Sequence, residues 1–544
     1  MLTVTPPDET PCPLPGRRAA SPPTGAAGNA ASSGPGMAAS DPSPVPALHI
    51  PTRASGQSLP PEIRAAWVDA WHEGILSAAQ VTQLVNTLQA AHYNVIIAQV
   101  RKSGDAYYHS AYEPRATNIA GGPAFDPLAD LITKAHAAGM QVYAWLETYR
   151  IWSEQWPAPP PGHTWSRHPE WAMKDRSGQM LSEAHYSLDP GIPGVQDYIC
   201  RVALDMIAQY DVDGINWDRI RYPEGYYWGY NEITATRFFD EYGYWPPEER
   251  NDPTWESWAD YRRRQITDLL KKCYLEIAAR KPLLAVSVDT VAWLDPDPKV
   301  YYARSSQFAA VYQDARGWLT QHLADMLVQM NYKNETEAEQ AANYRLWCNF
   351  AGQLARASGR YCLDGQAAYL NSVSGTLAQM AYVRQSGCQG AATYSYGSTN
   401  RDGRPAGELW DAVRTQLYAL PASVPGMPWK QFHTGGIMFG TLTRSGQPDP
   451  IYERWVYGAA VTATAAVTAT AAVTDGTVAD GAAPAVTYSA RSDATGTYGL
   501  LDLTPGTYDL TITGPGQALQ RCEGMVIKAG DVVRKDFQLE AAGW

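Results

Sequence analysis

No run of apolar residues in this chain approaches the length that crosses a bilayer. Positive charge is also in deficit: 43 Lys and Arg against 55 Asp and Glu leave a formal net charge of −12. That sign argues against nucleic acid as the main partner, because phosphate binding needs a basic field. It argues equally against docking on anionic lipid. Cysteine is sparse, seven in 544 residues, an odd number with no C-x-x-C pair. A disulfide scaffold is thereby excluded. Most of the seven are expected to be small buried apolar residues; Cys348 and Cys362 are candidates for a pair that spacing alone does not establish. The histidines are scattered, so no zinc site is expected, nor any other metal or cofactor. H-E-x-x-H, a P-loop lysine motif, a G-x-S-x-G elbow and G-x-G-x-x-G are all missing. Met1 to Pro15 lacks a basic stretch followed by an apolar one, so it does not read as a secretory signal. A misplaced start, a missing leader and a cytoplasmic protein all fit that.

Phe is scarce as well, 8 against 19 Trp and 33 Tyr. Trp and Tyr combine an apolar face with a polar handle, which suits stacking on sugar rings as well as ordinary half-buried packing. Residues 1–60, rich in Pro, Ala, Gly and Ser, read as a disordered segment. Between 61 and 420, strand-like runs alternate with helix-like runs. The strand runs are Arg64–Trp71, Asn94–Arg101, Gln141–Glu147, Gly214–Asp218, Leu283–Asp289, Met326–Tyr332, Tyr361–Ala367 and Ala391–Tyr396. Several are continuously apolar, as parallel strands covered on both faces are. Between them, Ser77 and Gln80 form a capping-box pair before the face Val81, Leu84, Val85, Leu88. Asp126-Pro127 opens a second helix that Gly139 closes. Eight such alternations predict a (β/α)₈ barrel, with a doubly wound open sheet as the rival. A linker, 421–434, leads to Val-, Thr-, Tyr- and Gly-rich alternation over 435–544, with Pro505-Gly506 as a turn, and predicts a small β-sandwich. The Ala/Val/Thr repeat at 460–474 is expected to be an extended loop insertion, or one long strand.

A barrel enzyme presents its reactive groups at the C-terminal strand tips. Those tips carry Asp69, Trp71 and His72; Gln99, Arg101, Asp105 and Tyr107; Trp145, Glu147, Tyr149 and Arg150; Asn216, Asp218, Arg221 and Tyr222; Asp289; Gln329, Asn331 and Tyr332; Asp364 and Gln366; Tyr394 and Tyr396. Carboxylates, arginines, amides and aromatics together suit a carbohydrate cleft, since hydroxyls need donors and acceptors and ring faces need aromatic walls. Glycoside cleavage needs two carboxyls, one ionised and one protonated. Asp218, with Arg219 and Arg221 to favour its charged form, is expected to be the ionised one. Asp289 on the next strand and Glu147 on the preceding one, the latter flanked by Trp145 and Tyr149, stand equal as proton donor. The other tip residues, apart from Asp364 and Tyr394, are expected to bind substrate, with His72 a binding or packing residue rather than a base. Binding of a glycan without cleavage is the alternative; a scaffold built around the C-terminal sandwich would leave the carboxylates unexplained.

Arg64-Ala65-Ala66-Trp67-Val68, Gln99-Val100-Arg101 with Gly104-Asp105-Ala106-Tyr107-Tyr108, Val142-Tyr143-Ala144-Trp145 with Tyr149-Arg150, Val212-Asp213-Gly214-Ile215 with Asp218 and Arg221-Tyr222-Pro223, and Gln329-Met330-Asn331-Tyr332 occur in one order over roughly residues 62–420. In that order they resemble the glycosyl hydrolase-like 10 family of bacterial barrel proteins. The resemblance implies a glycoside hydrolase acting on a bacterial or environmental polysaccharide, with peptidoglycan glycan strands among the options, and a location outside the cell or in its envelope. Two departures stand out. Many members carry a second aspartate where this chain has Arg219, and Glu147 stands where asparagine is common. Gly496-Thr497-Tyr498 and Pro505-Gly506-Thr507-Tyr508 resemble a carboxypeptidase regulatory-like domain of transthyretin-type sandwich fold, which implies an accessory module.

Overall fold

The computed structural model describes residues 59–155, 158–182, 184–293, 305–446, 454–466 and 486–541. The expected disordered segment, all but its last two residues, and most of the 460–474 repeat lie outside them. Eight parallel strands close into a barrel: β1 (Ile63–Val68), β2 (Val95–Arg101), β3 (Gln141–Glu147), β7 (Gly214–Asp218), β8 (Ala285–Val291), β9 (Met326–Met330), β10 (Tyr361–Ala367) and β11 (Gly390–Tyr394). Each pairs with the next in chain order, and β11 returns to β1 through Ile63↔Gly390 to Ala66↔Thr393. That closure removes the open doubly wound sheet. Between β3 and β7, a small antiparallel sheet of β4 (Arg150–Ser153), β5 (Leu181–Ser182) and β6 (His185–Ser187) rises beside the C-terminal tips.

Local signals act as expected at the helices that cover the barrel. Ser77 Oγ accepts the amide of Gln80 at 3.3 Å and opens the helix Ala78–Ala90, which buries Val81, Leu84, Val85 and Leu88. The reciprocal half of the box is redirected: Gln80 Oε1 takes the amides of Gly74 and Leu76. Asp126 caps Pro127–Ala137 through the Ala129 amide at 3.0 Å, and Gly139, at φ 74°, leaves the helix in the left-handed region.

Inside the barrel, alternate residues of each strand meet. Ala65 and Trp67, Val95 and Ile97, Tyr143 and Trp145, Met326 and Val328, with Ala285, Leu363 and Ala392, form one apolar cluster. Trp67 fits because Gly365, two strands away round the barrel, has no Cβ, which would stand 2.7 Å from the Trp67 ring. The expected linker is docked rather than free. Its Ser423 and Ala422 carbonyls accept from the Glu62 amide and Asn94 Nδ2, and Val424 and Met427 pack onto the interior cluster, closing the N-terminal mouth.

Past it, β12 (Gly436–Arg444), β15 (Thr497–Leu503), β18 (Val532–Arg534) and β19 (Phe537–Leu539) form one sheet. The second comprises β13 (Ala460–Ala465), β14 (Thr487–Arg491), β16 (Gly506–Thr513) and β17 (Gln520–Ile527). Their facing apolar residues make a separate core. The start of the repeat is thus a paired strand. The 26-residue helix Trp255–Arg280 is buried nearly all round because it serves two layers. One side faces the barrel; on the other Lys272 Nζ donates to Thr495 Oγ1 at 3.0 Å and Glu276 pairs with Arg534 at 2.8 Å. Gly499 has no Cβ to collide with Leu275, which would lie 2.4 Å away. Cys348 and Cys362 are both free thiols; the sulfur of Cys388, not that of Cys362, approaches the Cys348 carbonyl, at 3.6 Å.

Candidate active site

Period-two alternation decides which strand-tip residues reach the mouth. Continuing the inward positions of Trp67, Ile97, Trp145 and Ala285 by steps of two leads to Asp69, Gln99, Glu147 and Asp289, while Asn216 and Asp218 continue from Gly214, which abuts the inward Tyr143 ring. Glu147 and Asp218 are register partners on adjacent strands. Asp218 accepts the Trp145 indole N–H at 3.2 Å and the Arg219 amide at 2.6 Å, and Arg221 Nη1 stands 3.6 Å away. Asp289 accepts Asn216 Nδ2 at 2.8 Å, and Asn216 is itself steadied by Ser287 Oγ at 3.1 Å. Burial first, and then the negative charge of Asp218, push the Asp289 carboxyl well above the ordinary aspartate range; bonds from Asn216 and Trp67 and the charge of Arg221 oppose this without reversing it.

Glu147 sits in different surroundings from the apolar ones its sequence neighbours suggested. Arg150 Nε lies 3.1 Å and Arg219 Nε 3.5 Å from its carboxylate, and Gln99 Nε2 donates at 3.4 Å. Arg219 reaches in from a left-handed backbone position, φ 47°, rare for a side chain of that size. Two guanidinium groups and an amide thus hold the Glu147 carboxylate from different sides. Asp69 accepts the Trp71 and His72 amides at 3.0 and 2.9 Å and the His72 ring at 2.8 Å. Burial pushes the Asp69 carboxyl up, but the His72 bond and charge outweigh it, and the same bond raises His72. Trp71 carries Lys102 on its ring at 4.3 Å, and Arg150 at 5.7 Å. Tyr332 stacks on Tyr394 at 5.4 Å, and both rings meet the edge of Trp67. A recess at the rim is lined by Arg150, Arg219, Arg221, Ser182, His185 and Glu224, among others.

Several expected substrate contacts face elsewhere. A register irregularity between Gln99 and Arg101 turns Arg101 outward, where Glu113 holds its Nε at 2.9 Å and the Glu147 and Thr148 carbonyls take Nη1. Arg101→Met should therefore cost stability, about 3–5 kcal/mol by stranding buried Glu113. Chemical denaturation checks this, and unchanged stability with weakened glycan binding would restore Arg101 to the site. Gln329, Asn331 and Gln366 lie on the outer face of β9 and β10. Gln329 and Asn331 donate to Asp364 at 3.1 and 3.2 Å, and Gln366 donates to Tyr344 on the helix Ala338–Ser358. Burial raises Asp364 to about 7, so this cluster is an internal polar joint. Tyr149 and Tyr222 do border the rim recess, while their rings pack into the main core, Tyr222 edge-on to Tyr312. Tyr107 donates to Asn118, which braces the Ala70 carbonyl; Asp105 accepts the Ser103 amide. Tyr396 stacks on Trp410 at 5.8 Å beside the mouth.

Sequence reasoning passed over Trp67, Lys102, Ser182 and His185. Trp67 was legible, since it lies two residues before Asp69 on one strand face. Ser182 and His185 come from two- and three-residue strands, too short for any periodicity. Among the described residues no group of three or more His, Cys, Asp or Glu is placed to hold a metal ion, and no helix is long and apolar enough to cross a membrane.

A family model described as carboxypeptidase regulatory-like domain matches residues 454–540. Over 420 residues the chain is 26% identical to the glycosyl hydrolase YngK of Bacillus subtilis, covering 70% of this chain and 76% of that protein. The glycosyl hydrolase DigH of Escherichia coli K12 is 27% identical over 263 residues, 45% of this chain and 56% of that one. Among solved structures, the glycoside hydrolase domain of PgaB from Bordetella bronchiseptica aligns with a TM-score of 0.49 at 15% identity, over 66% of this chain and 99% of that domain. The model described as glycosyl hydrolase-like 10 matches residues 62–369, more than half of the sequence, and the chain belongs to that family.

Proposed function

We propose that the chain is a glycoside hydrolase that cleaves O-glycosidic bonds of a bacterial or environmental polysaccharide at the C-terminal mouth of the barrel. The observation that carries this reading is the placement of two carboxyls, Asp218 and Asp289, on the neighbouring strands β7 and β8 at the mouth, in unlike surroundings. Asp289 is driven by burial and by Asp218 to keep its proton, while Asp218 faces Arg221 and two N–H donors. Acid-assisted glycoside cleavage requires two neighbouring carboxyls, one of them able to hold a proton to give.

Asp218 attacks the anomeric carbon as the bond to the leaving sugar breaks, and Asp289 gives its proton to the departing oxygen. Water then returns a proton to Asp289 and places a hydroxyl on the anomeric carbon, freeing Asp218. Strands in a sheet lie about 4.8 Å apart, and β7 and β8 are neighbours, which suits the spacing of about 5–5.5 Å between carboxyls in retaining enzymes. Glu147, Arg150, Arg219 and His72 bind hydroxyls around the bond, and Trp71, Tyr332 and Tyr394 supply ring faces. The family and the relatives named glycosyl hydrolases support a glycan substrate, and the proposal takes it to be a cell-envelope or extracellular one, peptidoglycan strands included.

Arg219, where many family members carry a second aspartate, favours a second reading, glycan binding without cleavage. Reducing-end release from a polysaccharide panel, run beside pull-downs on the same panel, separates the two. The hydrolase reading expects new reducing ends with inversion-free stereochemistry at the anomeric carbon; retention of a polysaccharide with no product would replace it by the binding one.

A further inference from the structure

At the opposite end of the barrel from Asp218, a pocket opens between the N-terminal face, the docked linker and the sandwich. Its walls include Tyr274, Arg360, Trp429, Phe432, His433 and Asp502. Arg360 precedes β10, and its guanidinium lies 4.6 Å over the Trp429 ring. The residue is 8% exposed, its Nε is buried without a partner, and among the described residues its side chain makes no hydrogen bond or ion pair. A nearly buried cation with no partner is costly unless something fills the place. Asp502 does not: it is near enough for Arg360 to favour its charged form, but its bond goes to His322 at 2.6 Å. Lys430, next to Trp429, is already paired with Asp325 at 2.8 Å. The unsatisfied charge in this pocket is therefore that of Arg360. Phe432 contributes an open ring, 76% exposed, and the carbon edge of the His433 ring lies beside Gly530.

We propose that this pocket is a second glycan site that takes a carboxylate-bearing sugar, with Arg360 receiving the carboxylate and Phe432 the ring face. A guanidinium fork fits a carboxylate through two parallel bonds, and an aromatic face fits the apolar side of a pyranose. The ligand class rests on the polysaccharide reading above; the anion site rests on Arg360. A site on the far face would hold an acidic polymer while the mouth works on another stretch of it, raising effective concentration.

Trigalacturonate is the probe, galactotriose its neutral control, and the full chain carrying Asp218→Asn the host, so that bound sugar is not consumed. Isothermal titration is expected to show trigalacturonate binding that Arg360→Met weakens about tenfold or more, as loss of a charged bidentate bond does. Phe432→Ala, an exposed change that spares the fold, should weaken it severalfold, and galactotriose should bind much less. Trigalacturonate that fails to bind, or binds equally to both variants, overturns the site. Equal losses for both sugars overturn the acidic assignment. The hydrolase reading is judged separately, by product release at the mouth from oligosaccharides too short to reach the far face, which Arg360→Met leaves unchanged.

Discussion

Asp218→Asn should lower turnover about 10³-fold or more while leaving the barrel folded. The amide keeps the shape of the carboxylate but can no longer attack an anomeric carbon as an anion. Its carbonyl oxygen can still accept from the Trp145 indole or the Arg219 amide, which now take 3.2 and 2.6 Å bonds. Arg221, 3.6 Å away, loses a charged partner. Against that loss, the like charge facing Asp289 disappears. Since that charge is the second cause of the raised Asp289 carboxyl after burial, the substitution should also bring Asp289 back toward its ordinary range. Turnover measured on a polysaccharide that the unaltered protein cleaves, with circular dichroism and melting temperature beside it, checks both halves. Full turnover in a folded variant would remove Asp218 from the chemistry, and a collapsed fold would show that its role is structural.

The barrel was legible because its signal is redundant. Eight apolar runs alternating with helical ones leave little choice of architecture, and single capping residues such as Ser77 and Asp126 act where the spacing put them. The carboxyl trio was legible for a simpler reason: Glu147 and Asp218 end adjacent strands and Asp289 lies two residues before the end of the next, all on inward positions. What misled was reading every polar residue near a strand tip as facing the mouth. Gln329 and Gln366 fall on the odd phase relative to Val328 and Leu363, so they point at the helix layer and meet Asp364 and Tyr344 there. Arg101 has the right phase on paper and the wrong direction in space, because one irregular residue between it and Gln99 inverts the alternation. The surroundings of Glu147 were hidden as well. Trp145 and Tyr149 are its sequence neighbours, but Tyr149 turns into the core, and the groups that touch the carboxylate are Arg150 three residues on and Arg219 from the next strand. Charge at this site is set by cross-strand proximity, which a linear reading does not contain.

Asp289→Asn should cut turnover about 10²–10⁴-fold, the usual worth of a positioned acid, and at the same time stabilise the fold at neutral pH. The sign follows from the direction of its shift. In the unfolded chain this carboxyl loses its proton near the ordinary 3.8, whereas in the barrel burial and Asp218 hold the proton well above that. As pH rises past the ordinary value, the native state binds more protons than the unfolded one, so stability falls with rising pH until the folded carboxyl also ionises. Asparagine has no proton to lose. The variant should therefore melt with the unaltered protein below the ordinary aspartate range and above it at pH 7–8, by about 2 °C for each kcal/mol recovered. The substituted amide oxygen still accepts from Asn216 Nδ2, now 2.8 Å away, so packing is kept. A nitrophenyl glycoside, whose leaving group departs without a proton, should retain most of its first-step rate in the variant. Equal losses on activated and unactivated substrates would take the acid role from Asp289. A melting difference that is the same at both ends of the pH range would show that burial does not hold its proton.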